Sequence, residues 1–331
     1  MKIALDVMGG DNAPQSNILG AKDFIENNHN CTIILVGDES LIKEQLKKHN
    51  FDSKNIEIHH CSESISMSEN KPSMVFKTKP DSSIVQSIKL VKEKKAHAVI
   101  SAGNTAALLS TSLFVLGKID QIKRPTLATH FPTKNGGFVL TDVGANTDVK
   151  PDHLLQFAIM GSIYAKHIKN TDIINTGLLN IGVEKNKGNI LTQKAYRLFE
   201  KSIKGFIGNI EPRYVFEKKV DVVVCDGFSG NIMIKLTEGL SGHLHDWINS
   251  IEELEKNEPI RNILYPIFNN YNYESHGASP FLGVKGIVLK CHGASSQKSI
   301  NSALSLANTL SKKDIIKKIE RDLKENLIFS E

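Results

Sequence analysis

The sequence predicts an α/β protein built on a mainly parallel sheet with helices on both faces. Short apolar runs typical of buried strands alternate with longer segments whose apolar residues recur at helical spacing. Several of these runs end directly in a polar, glycine-containing turn that leads into the next helical segment. The chain has 331 residues, of which 40% are hydrophobic and 23% are charged, so it can bury a sizeable core without disulfides or metals.

The first part of the chain alternates strands and helices from its start. Strands are predicted at 3–6, 32–36, 56–59 and 96–101, where apolar and β-branched residues cluster. One helix is predicted to begin at Pro14, because the fixed φ of proline suits a first helical position. A second is predicted at 41–48, and a third follows Asp81, whose carboxylate would cap it.

The second part of the chain continues the same alternation. Strands are predicted at 138–140, 177–181 and 220–225, and helices after Pro151, at 191–202 and from 229 through about 239, with a continuation beyond 239 left open. No repeat or low-complexity linker interrupts the pattern, so we predict one continuous domain over residues 1–331.

Residues 241–275 depart from this pattern and predict an amphipathic helical excursion. Two apolar stripes at helical spacing carry the prediction: Trp247, Ile248, Ile251 and Leu254, then Ile260, Ile263, Leu264, Ile267 and Phe268 after Pro259. Such faces pack within a homo-oligomer or lie on a membrane surface. Both uses are compatible if the helices project from a dimer.

Charge and cysteine usage exclude several classes of protein. The formal net charge of +5 comes from lysines spread along the chain without an arginine or aromatic cluster, so no nucleic-acid partner is expected. The four cysteines form no CxxC pair, which argues against a zinc knuckle or a disulfide framework and favours a reducing compartment. The histidines lack partners at ligand spacing, so neither a metal nor a cofactor is predicted.

The polar turns after the strands predict an anion site. They comprise residues 101–105, 141–147, 182–189 and 226–231. Glycine-rich turns that open a helix present backbone N–H groups and a helix N-terminus to an anion. Because parallel strands end at one edge of a sheet, several such turns would meet there, which indicates a phosphate-handling enzyme.

Six segments taken together resemble the phosphate acyltransferase family. In chain order they read DVMGGD (6–11), SAGNT (101–105), DVGAN (142–146), LLNIG (178–182), FIGN (206–209) and DGFSGN (226–231). The resemblance spans nearly the whole chain and extends through LGVKG (282–286) and HGASS (292–296).

This resemblance implies a fold, an activity and partners. The fold is a Rossmann-like three-layer sandwich similar to isocitrate and isopropylmalate dehydrogenases. The activity is transfer of a fatty acyl group from acyl carrier protein to inorganic phosphate, which forms acyl phosphate for phospholipid biosynthesis without a cofactor. A homodimer in the cytoplasm, attached peripherally to the inner face of the cell membrane and in contact with a downstream membrane acyltransferase, is also implied.

The resemblance also implies the site residues. Lys187 and Asn231 match the positions to which the family's catalysis is attributed, with Lys185 as a rival lysine. The phosphate- and substrate-binding candidates are Gly9, Gly10, Asp11, Ser101, Gly103, Asn104, Thr105, Gly144, Asn146, Gly188, Asp226, Ser229 and Gly230. Asp6 and Asp11 are expected to orient lysines or loop amides, because acidic groups near a phosphate repel it.

Departures from the family pattern leave acyl-chain preference and membrane attachment open. They are Ala106, Pro212 and the segment 275–280. Cys291 stands where the family usually has alanine, and adjacent strand residues such as Cys291 and His292 point to opposite faces, so they do not form a catalytic pair.

Two other functions fit a similar architecture. A nicotinamide-dependent β-decarboxylating dehydrogenase has this kind of fold, but the chain lacks a GxGxxG fingerprint after its first strand and a cluster of aspartates for a divalent metal. A non-catalytic docking module for a carrier protein or membrane would use the amphipathic region at 241–275.

Overall fold

The computed structural model describes residues 1–134, 136–217, 219–251, 258–271 and 277–327. The chain divides into two compact units. Unit 1 comprises Met1–Pro125 and Gly277–Asp322, and unit 2 comprises Thr126–His276 and Leu323–Glu331. The prediction of one continuous domain over residues 1–331 concerns how these two units work together, and it stays a prediction.

The strands of the described chain lie where apolar runs predicted most of them. They are β1 (Lys2–Asp6), β2 (Thr32–Gly37), β3 (Ile56–His60), β4 (Ala98–Ser101), β5 (Thr126–Phe131), β6 (Phe138–Thr141), β7 (Thr176–Leu179), β8 (Phe206–Ile210), β9 (Val222–Val224), β10 (Ser279–Leu282) and β11 (Ile287–Lys290).

The α-helices of the described chain connect these strands. They are α1 (Gln15–Asn27), α2 (Glu39–Lys48), α3 (Val75–Thr78), α4 (Ser83–Lys92), α5 (Thr105–Thr111), α6 (Pro151–Lys169), α7 (Ile190–Ser202), α8 (Gly227–Asn249), α9 (Glu258–Tyr271), α10 (Gln297–Lys312) and α11 (Ile315–Leu327). None of these helices combines the length and hydropathy that a bilayer crossing requires.

The sheet of unit 1 has the order β3-β2-β1-β4-β11-β10. All neighbours pair in parallel except β10, which is antiparallel to β11. The last residues of three central strands are in register, because Ser101 pairs with Asp6 on one side and with Lys290 on the other. The loops that follow these three strands therefore begin at one edge of the sheet.

The sheet of unit 2 has the order β5-β6-β9-β7-β8. Strands β6, β9, β7 and β8 pair in parallel, and β5 is antiparallel to β6. Val224, at the end of β9, pairs with Thr141 of β6 and with Leu178 of β7. The loops after these strands consequently share one edge.

Helices cover both faces of the unit 1 sheet, which explains why its strands read as continuous apolar runs. In unit 1, α1 and α10 pack on each other and against β2 and β4, whereas α4 packs against β1, β2 and β4. Strands β1, β2 and β3 follow one another towards one edge of the sheet, and the chain then returns to β4 on the other side of β1. Right-handed crossovers therefore place α1 and α2 on one face of the sheet and α4 on the other. The predicted α/β class with a mainly parallel sheet is thereby confirmed.

Three predicted helix starts differ from the structure. Helix α4 begins at Ser83 with Ser82 at its N-cap, so the predicted cap by Asp81 is wrong. The Asp81 carboxylate instead accepts hydrogen bonds from Ser62 N (2.8 Å) and Ser62 Oγ (2.6 Å). Pro14 lies at the N-cap of α1 and not at its first helical position. Helix α8 starts two residues before 229, because the Asp226 side chain caps it, and it runs ten residues past 239.

The excursion at 241–275 is largely helical where the structure describes it. The C-terminal part of α8 contains Trp247 and Ile248 of the first predicted stripe, but α8 ends at Asn249 and Ile251 lies past that end, outside the helix. The second predicted helix is α9, which packs against α8. The predicted stripe member Leu254 and the family departure at 275–276 lie outside the described residues.

Candidate active site

A buried carboxylate organises the glycine loop after β1. Asp6 is fully buried and accepts hydrogen bonds from Ser101 Oγ (2.6 Å) and from Met8 N (3.1 Å). Burial is the largest influence on this carboxyl and raises its pKa, while these hydrogen bonds act in the opposite direction. Asp6 therefore orders loop amides, which is the role that its sequence position predicts.

The two glycines of this loop allow close approach to the neighbouring loops. A Cβ at Gly9 would lie 2.5 Å from Asp6 Oδ2 and 2.6 Å from Gly103 N. Gly10 has φ of +100°, and a Cβ there would lie 2.9 Å from Ala102 Cβ. The next residue, Asp11, is exposed and donates its backbone N–H to Gly293 O (2.8 Å). Close packing explains why glycine occupies both positions.

The SAGNT loop after β4 is fixed by its own side chains. Gly103 N donates to Ser101 Oγ (3.0 Å), and Asn104 Oδ1 caps α5 by accepting from Ala107 N (3.1 Å). The Asn104 amide group also donates to Met67 O (3.0 Å). Thr105 is the first residue of α5.

A second buried carboxylate, Asp142, organises the loop after β6. Asp142 Oδ1 accepts from Leu127 N, Gly144 N and Ala145 N at 3.1–3.3 Å. Asp142 Oδ2 accepts from the backbone and side-chain nitrogens of Asn146 at 2.7 and 2.8 Å. Burial raises the pKa of this carboxyl, although the donors lower it in part. The N–H groups of Gly144 and Asn146 are thus committed to Asp142 in this structure.

The DGFSGN turn after β9 opens α8. Asp226 Oδ1 accepts from Ser229 N (2.8 Å) and Oδ2 from Ser229 Oγ (3.0 Å), so the pair forms the N-cap of the helix. Gly227 N donates to Asn146 O (2.8 Å), which joins this turn to the loop after β6. A Cβ at Gly230 would lie 1.9 Å from Asp142 O, so only glycine allows this contact.

Asn231 lies beside the loop after β6. A Cβ on Gly144 would be 3.7 Å from Asn231 Cγ and 3.8 Å from Asn231 Oδ1. Asn231 is the fifth residue of the 23-residue helix α8, just past its first turn, and is partly exposed. It therefore lies near the positive end of the α8 dipole, next to Gly144, which leaves room above the sheet edge.

Lys187 lies in the loop after β7. Its side chain is exposed, and a Cβ at Gly182 would lie 2.9 Å from Lys187 Cγ, so the stem packs against that glycine. Asn180 Nδ2 donates to Lys187 O (3.2 Å) and fixes the loop. Gly188 has φ of +87° and packs so tightly that a Cβ would be 2.3 Å from Asn180 Oδ1.

The rival lysine, Lys185, has a different environment. Its ammonium forms an ion pair with Glu200 and lies 5.7 Å from the centroid of the Tyr196 ring. Within the described part of the chain, no carboxylate lies within 4.0 Å of the Lys187 ammonium. Of these two lysines, Lys187 is the one available to an anionic ligand.

In the part of the chain that the structure describes, the cysteines are buried and one histidine beside them has a structural role. All four cysteines are free and buried, and burial raises the pKa of the Cys291 thiol to about 12. His292 Nδ1 accepts from Ala294 N (3.1 Å), so the imidazole contributes to loop structure. Over the described ranges, no group of three or more His, Cys, Asp or Glu side chains is placed to hold a metal ion.

The predicted site residues divide between the two units. Unit 1 contains Gly9, Gly10, Asp11, Ser101, Gly103, Asn104 and Thr105, and unit 2 contains Gly144, Asn146, Lys187, Gly188, Asp226, Ser229, Gly230 and Asn231. Sequence reasoning missed Asp142, Asn180 and Lys290 as organising side chains. Each is a polar residue at or directly after the end of a buried strand, which is the signal that could have identified it.

Fold and site together define an α/β protein with polar, glycine-rich turns at the carboxyl edges of its parallel strands, a class suited to anionic ligands. The model of the family described as "Fatty acid synthesis protein" matches residues 1–318. The phosphate acyltransferase of Halothermothrix orenii is 41% identical over 98% of this chain and 99% of its own. That of Clostridium tetani is 42% identical over 98% of each chain. The chain belongs to this phosphate acyltransferase family.

Solved structures support the fold. A phosphotransacetylase from Streptococcus pyogenes superposes with a TM-score of 0.61 at 16% identity and covers 98% of this chain and 94% of that one. A 4-hydroxythreonine-4-phosphate dehydrogenase from Klebsiella pneumoniae gives a TM-score of 0.52 at 12% identity and covers 94% of this chain and 99% of that one. At these identities the likeness concerns the fold alone, and it agrees with the predicted Rossmann-like sandwich.

Proposed function

We propose that this protein transfers a fatty acyl group from acyl carrier protein to inorganic phosphate and so forms the acyl phosphate used in phospholipid biosynthesis. The observation that carries the proposal is the near full-length similarity to phosphate acyltransferases at 41–42% identity. The polar turns at the carboxyl edge of unit 2 supply a site of the required chemistry.

The reaction needs no covalent nucleophile on the protein. A phosphate oxygen attacks the carbonyl carbon of the thioester, a C–O bond forms, and the C–S bond breaks. The carrier-protein thiolate leaves and takes up a proton. The protein has to hold the two reactants together and to stabilise the negative charge that develops on the carbonyl oxygen.

Lys187 and Asn231 are the residues to which we assign these tasks. The exposed ammonium of Lys187, which has no carboxylate within 4.0 Å among the described residues, neutralises phosphate. The amide of Asn231 donates a hydrogen bond to phosphate or to the oxyanion at the N-terminus of α8, where the helix dipole favours negative charge. Asp142 and Asp226 hold the surrounding turns in shape through their hydrogen bonds.

The remaining predicted residues keep the two sheet edges open and polar. Gly144 leaves space beside Asn231, whereas Gly188 allows the close packing of Asn180 and Thr192 that shapes the loop of Lys187, and both glycines have a positive φ that other residues rarely adopt. In unit 1, we propose that the loops containing Gly9, Gly10, Asp11 and residues 101–105 bind part of the substrate. Single substitutions in these loops that raise the KM for either substrate would support this role, and unchanged KM values for both would oppose it.

Assembly and location form a second part of the proposal. An exposed apolar stripe runs along α8 with four-residue spacing through Phe228, Ile232, Leu236 and Leu240. We assign this stripe to a homodimer interface, because apolar faces of this extent are usually covered. Trp247, which is 60% exposed, and Ile263 on α9, which is 66% exposed, support peripheral contact with the inner face of the cell membrane.

Membrane contact is tested by flotation of the protein with vesicles that contain anionic lipid. Recovery of the protein in the floating fraction supports the contact, and its absence from that fraction opposes it. Co-purification of a membrane acyltransferase from detergent extracts tests the proposed downstream partner in the same way.

The activity is tested by incubating the protein with long-chain acyl carrier protein, with and without inorganic phosphate, and measuring free carrier-protein thiol. We expect phosphate-dependent thiol release by the native protein. Lys187→Ala and Asn231→Asp should each lower turnover at least about 100-fold, because each removes a donor and the second also places a negative charge beside phosphate.

Lys185→Ala is the matched control for Lys187→Ala. Lys185 stands two residues before Lys187 in the sequence, and its replacement removes only an exposed ion pair with Glu200. This variant should therefore keep near-native turnover. Unchanged thiol release by both Lys187→Ala and Asn231→Asp would show that the site is assigned wrongly. Thiol release that is independent of phosphate would contradict the proposed acceptor.

A further inference from the structure

Lys290 is a buried cation in unit 1 to which the proposed reaction assigns no role. It is the last residue of β11, and its side chain is only 8% exposed. On neighbouring parallel strands, Lys290 is in register with Ser101, and Ser101 is in register with Asp6. Side chains in register on a parallel sheet point to the same face, so this row places an ammonium, a hydroxyl and a carboxylate side by side.

Two side chains of this row, Lys290 and Ser101, bind the two ends of one peptide group in the SAGNT loop. Lys290 Nζ donates to Ala102 O (3.1 Å), and Gly103 N donates to Ser101 Oγ (3.0 Å). The Ala102 carbonyl and the Gly103 N–H belong to the same peptide unit. Because Ser101 Oγ donates in turn to Asp6 Oδ2 (2.6 Å), the orientation of this peptide depends on both buried charges.

The same two charges also hold the loops on either side. The Lys290 ammonium donates to Cys291 O, at the start of the loop that leads to α10. The Asp6 carboxylate accepts from Met8 N (3.1 Å) in the loop after β1. Three loops at the carboxyl edge of unit 1 are therefore tied to one buried pair of opposite charges.

We propose that Lys290 is a positioning residue that holds the SAGNT loop, residues 101–105, in the geometry needed for acyl transfer. The proposal rests on the proposed function, since it takes this loop to be part of the substrate site. Lys290 itself does not touch the reacting atoms in this assignment.

The environment of the ammonium makes the proposal measurable. Burial lowers the pKa of Lys290 to about 8, against the opposing influence of Cys291, Asp6 and Asp11, the charged or titratable groups near it. As the pH rises through about 8, the ammonium loses a proton and its hydrogen bond to Ala102 O loses its charge-assisted character. Turnover should fall over the same range.

The effect on stability has the opposite sign. In the unfolded chain the lysine keeps its proton up to about pH 10.5, its ordinary value, so between about 8 and 10.5 the unfolded state binds more protons than the folded state. The free energy of unfolding therefore gains a component that rises with pH in this window. If turnover fell because the protein unfolded, the free energy of unfolding would fall over the same pH range.

The test compares the native protein with Lys290→Met and with the control Lys312→Met. Methionine keeps an unbranched side chain of similar length without the charge. Lys312 is an exposed lysine at the C-terminal end of α10, far along that helix from the loop of Lys290. The kcat, the KM for phosphate and the urea-unfolding free energy are measured from about pH 6 to 10.

We expect Lys290→Met to lower kcat about 10-fold to 100-fold at pH 7, as small displacements of a positioning loop do, and to lack the alkaline decline near pH 8. The native protein and Lys312→Met should both show that decline. The free energy of unfolding of the native protein relative to Lys290→Met should rise above pH 8.

Three results would overturn the proposal. The first is native kcat in Lys290→Met, and the second is a reduced kcat that keeps the same alkaline decline. If Lys290→Met does not fold, the native profile alone decides, and a kcat that stays constant from pH 7 to 9.5 is the third. Absence of phosphate-dependent turnover in native protein and Lys312→Met alike would instead show that the proposed function is wrong, and the inference would fall with it.

Discussion

Buried aspartates explain why the polar turns have fixed shapes. Asp142 accepts five hydrogen bonds from its own loop and from Leu127, and Asp6 accepts from the loops after β1 and β4. The sequence predicted that these loops present amide donors to an anion. The structure shows that Gly144 N and Ser229 N already bind the carboxylates of Asp142 and Asp226, so these two amides are not available to a ligand in this arrangement.

The close packing of Gly230 predicts how one substitution changes the stability of the protein. Gly230→Ala should lower the free energy of unfolding by about 3 kcal/mol, because the new methyl group would lie 1.9 Å from Asp142 O, a backbone atom that cannot turn away. Urea denaturation measures the change.

Gly239→Ala on the same helix is the matched control. No atom lies within 4 Å of a Cβ at that position, and alanine favours helix, so this variant should gain about 0.5–1 kcal/mol. Equal stability of the two variants would contradict the close approach of α8 to the loop after β6.

At the scale of elements, apolar runs and helical stripes predicted most of the strands and helices, because buried parallel strands are apolar on both faces. Helix starts were predicted less well. Asp81 was expected to cap α4, yet its carboxylate binds Ser62, a contact between segments that local sequence cannot reveal. Lys290 could have been noted as a lysine that ends a buried strand, but its partners could not, since they depend on register with Ser101 and Asp6, far away in sequence.

The exposed stripe on α8 predicts the state of association. The double variant Leu236→Asp/Leu240→Asp should sediment as a monomer, whereas the native protein should sediment at the mass of two 36.6 kDa chains. Both side chains are more than half exposed, so charge at these positions disrupts an interface without opening the core.

Ile173→Asp is the control for this experiment. Ile173 is 77% exposed in the segment between α6 and β7, outside the stripe, so its variant should remain dimeric. A double variant that sediments like the native dimer would assign the stripe to another use, and flotation with vesicles would then show whether lipid covers it.

At the scale of the whole molecule, each of the two units carries a buried aspartate at the end of a central strand or directly after it, followed by a glycine turn. The six segments that resemble the family, taken in their order along the chain, were enough to identify it, because together they are specific where each alone is not. The roles of particular residues could not be read in the same way. The choice of Lys187 over Lys185 came from the family resemblance and stays a prediction, which the exposed ion pair of Lys185 with Glu200 favours.

The most direct test of the central claim follows phosphorus into the product. The pure protein is incubated with long-chain acyl carrier protein and radiolabelled inorganic phosphate, and the lipid-soluble product is treated with hydroxylamine. We predict that label enters a product which hydroxylamine cleaves to an acyl hydroxamate and free phosphate, in amounts equal to the thiol released. Thioester loss without label in such a product would contradict phosphate as the acyl acceptor.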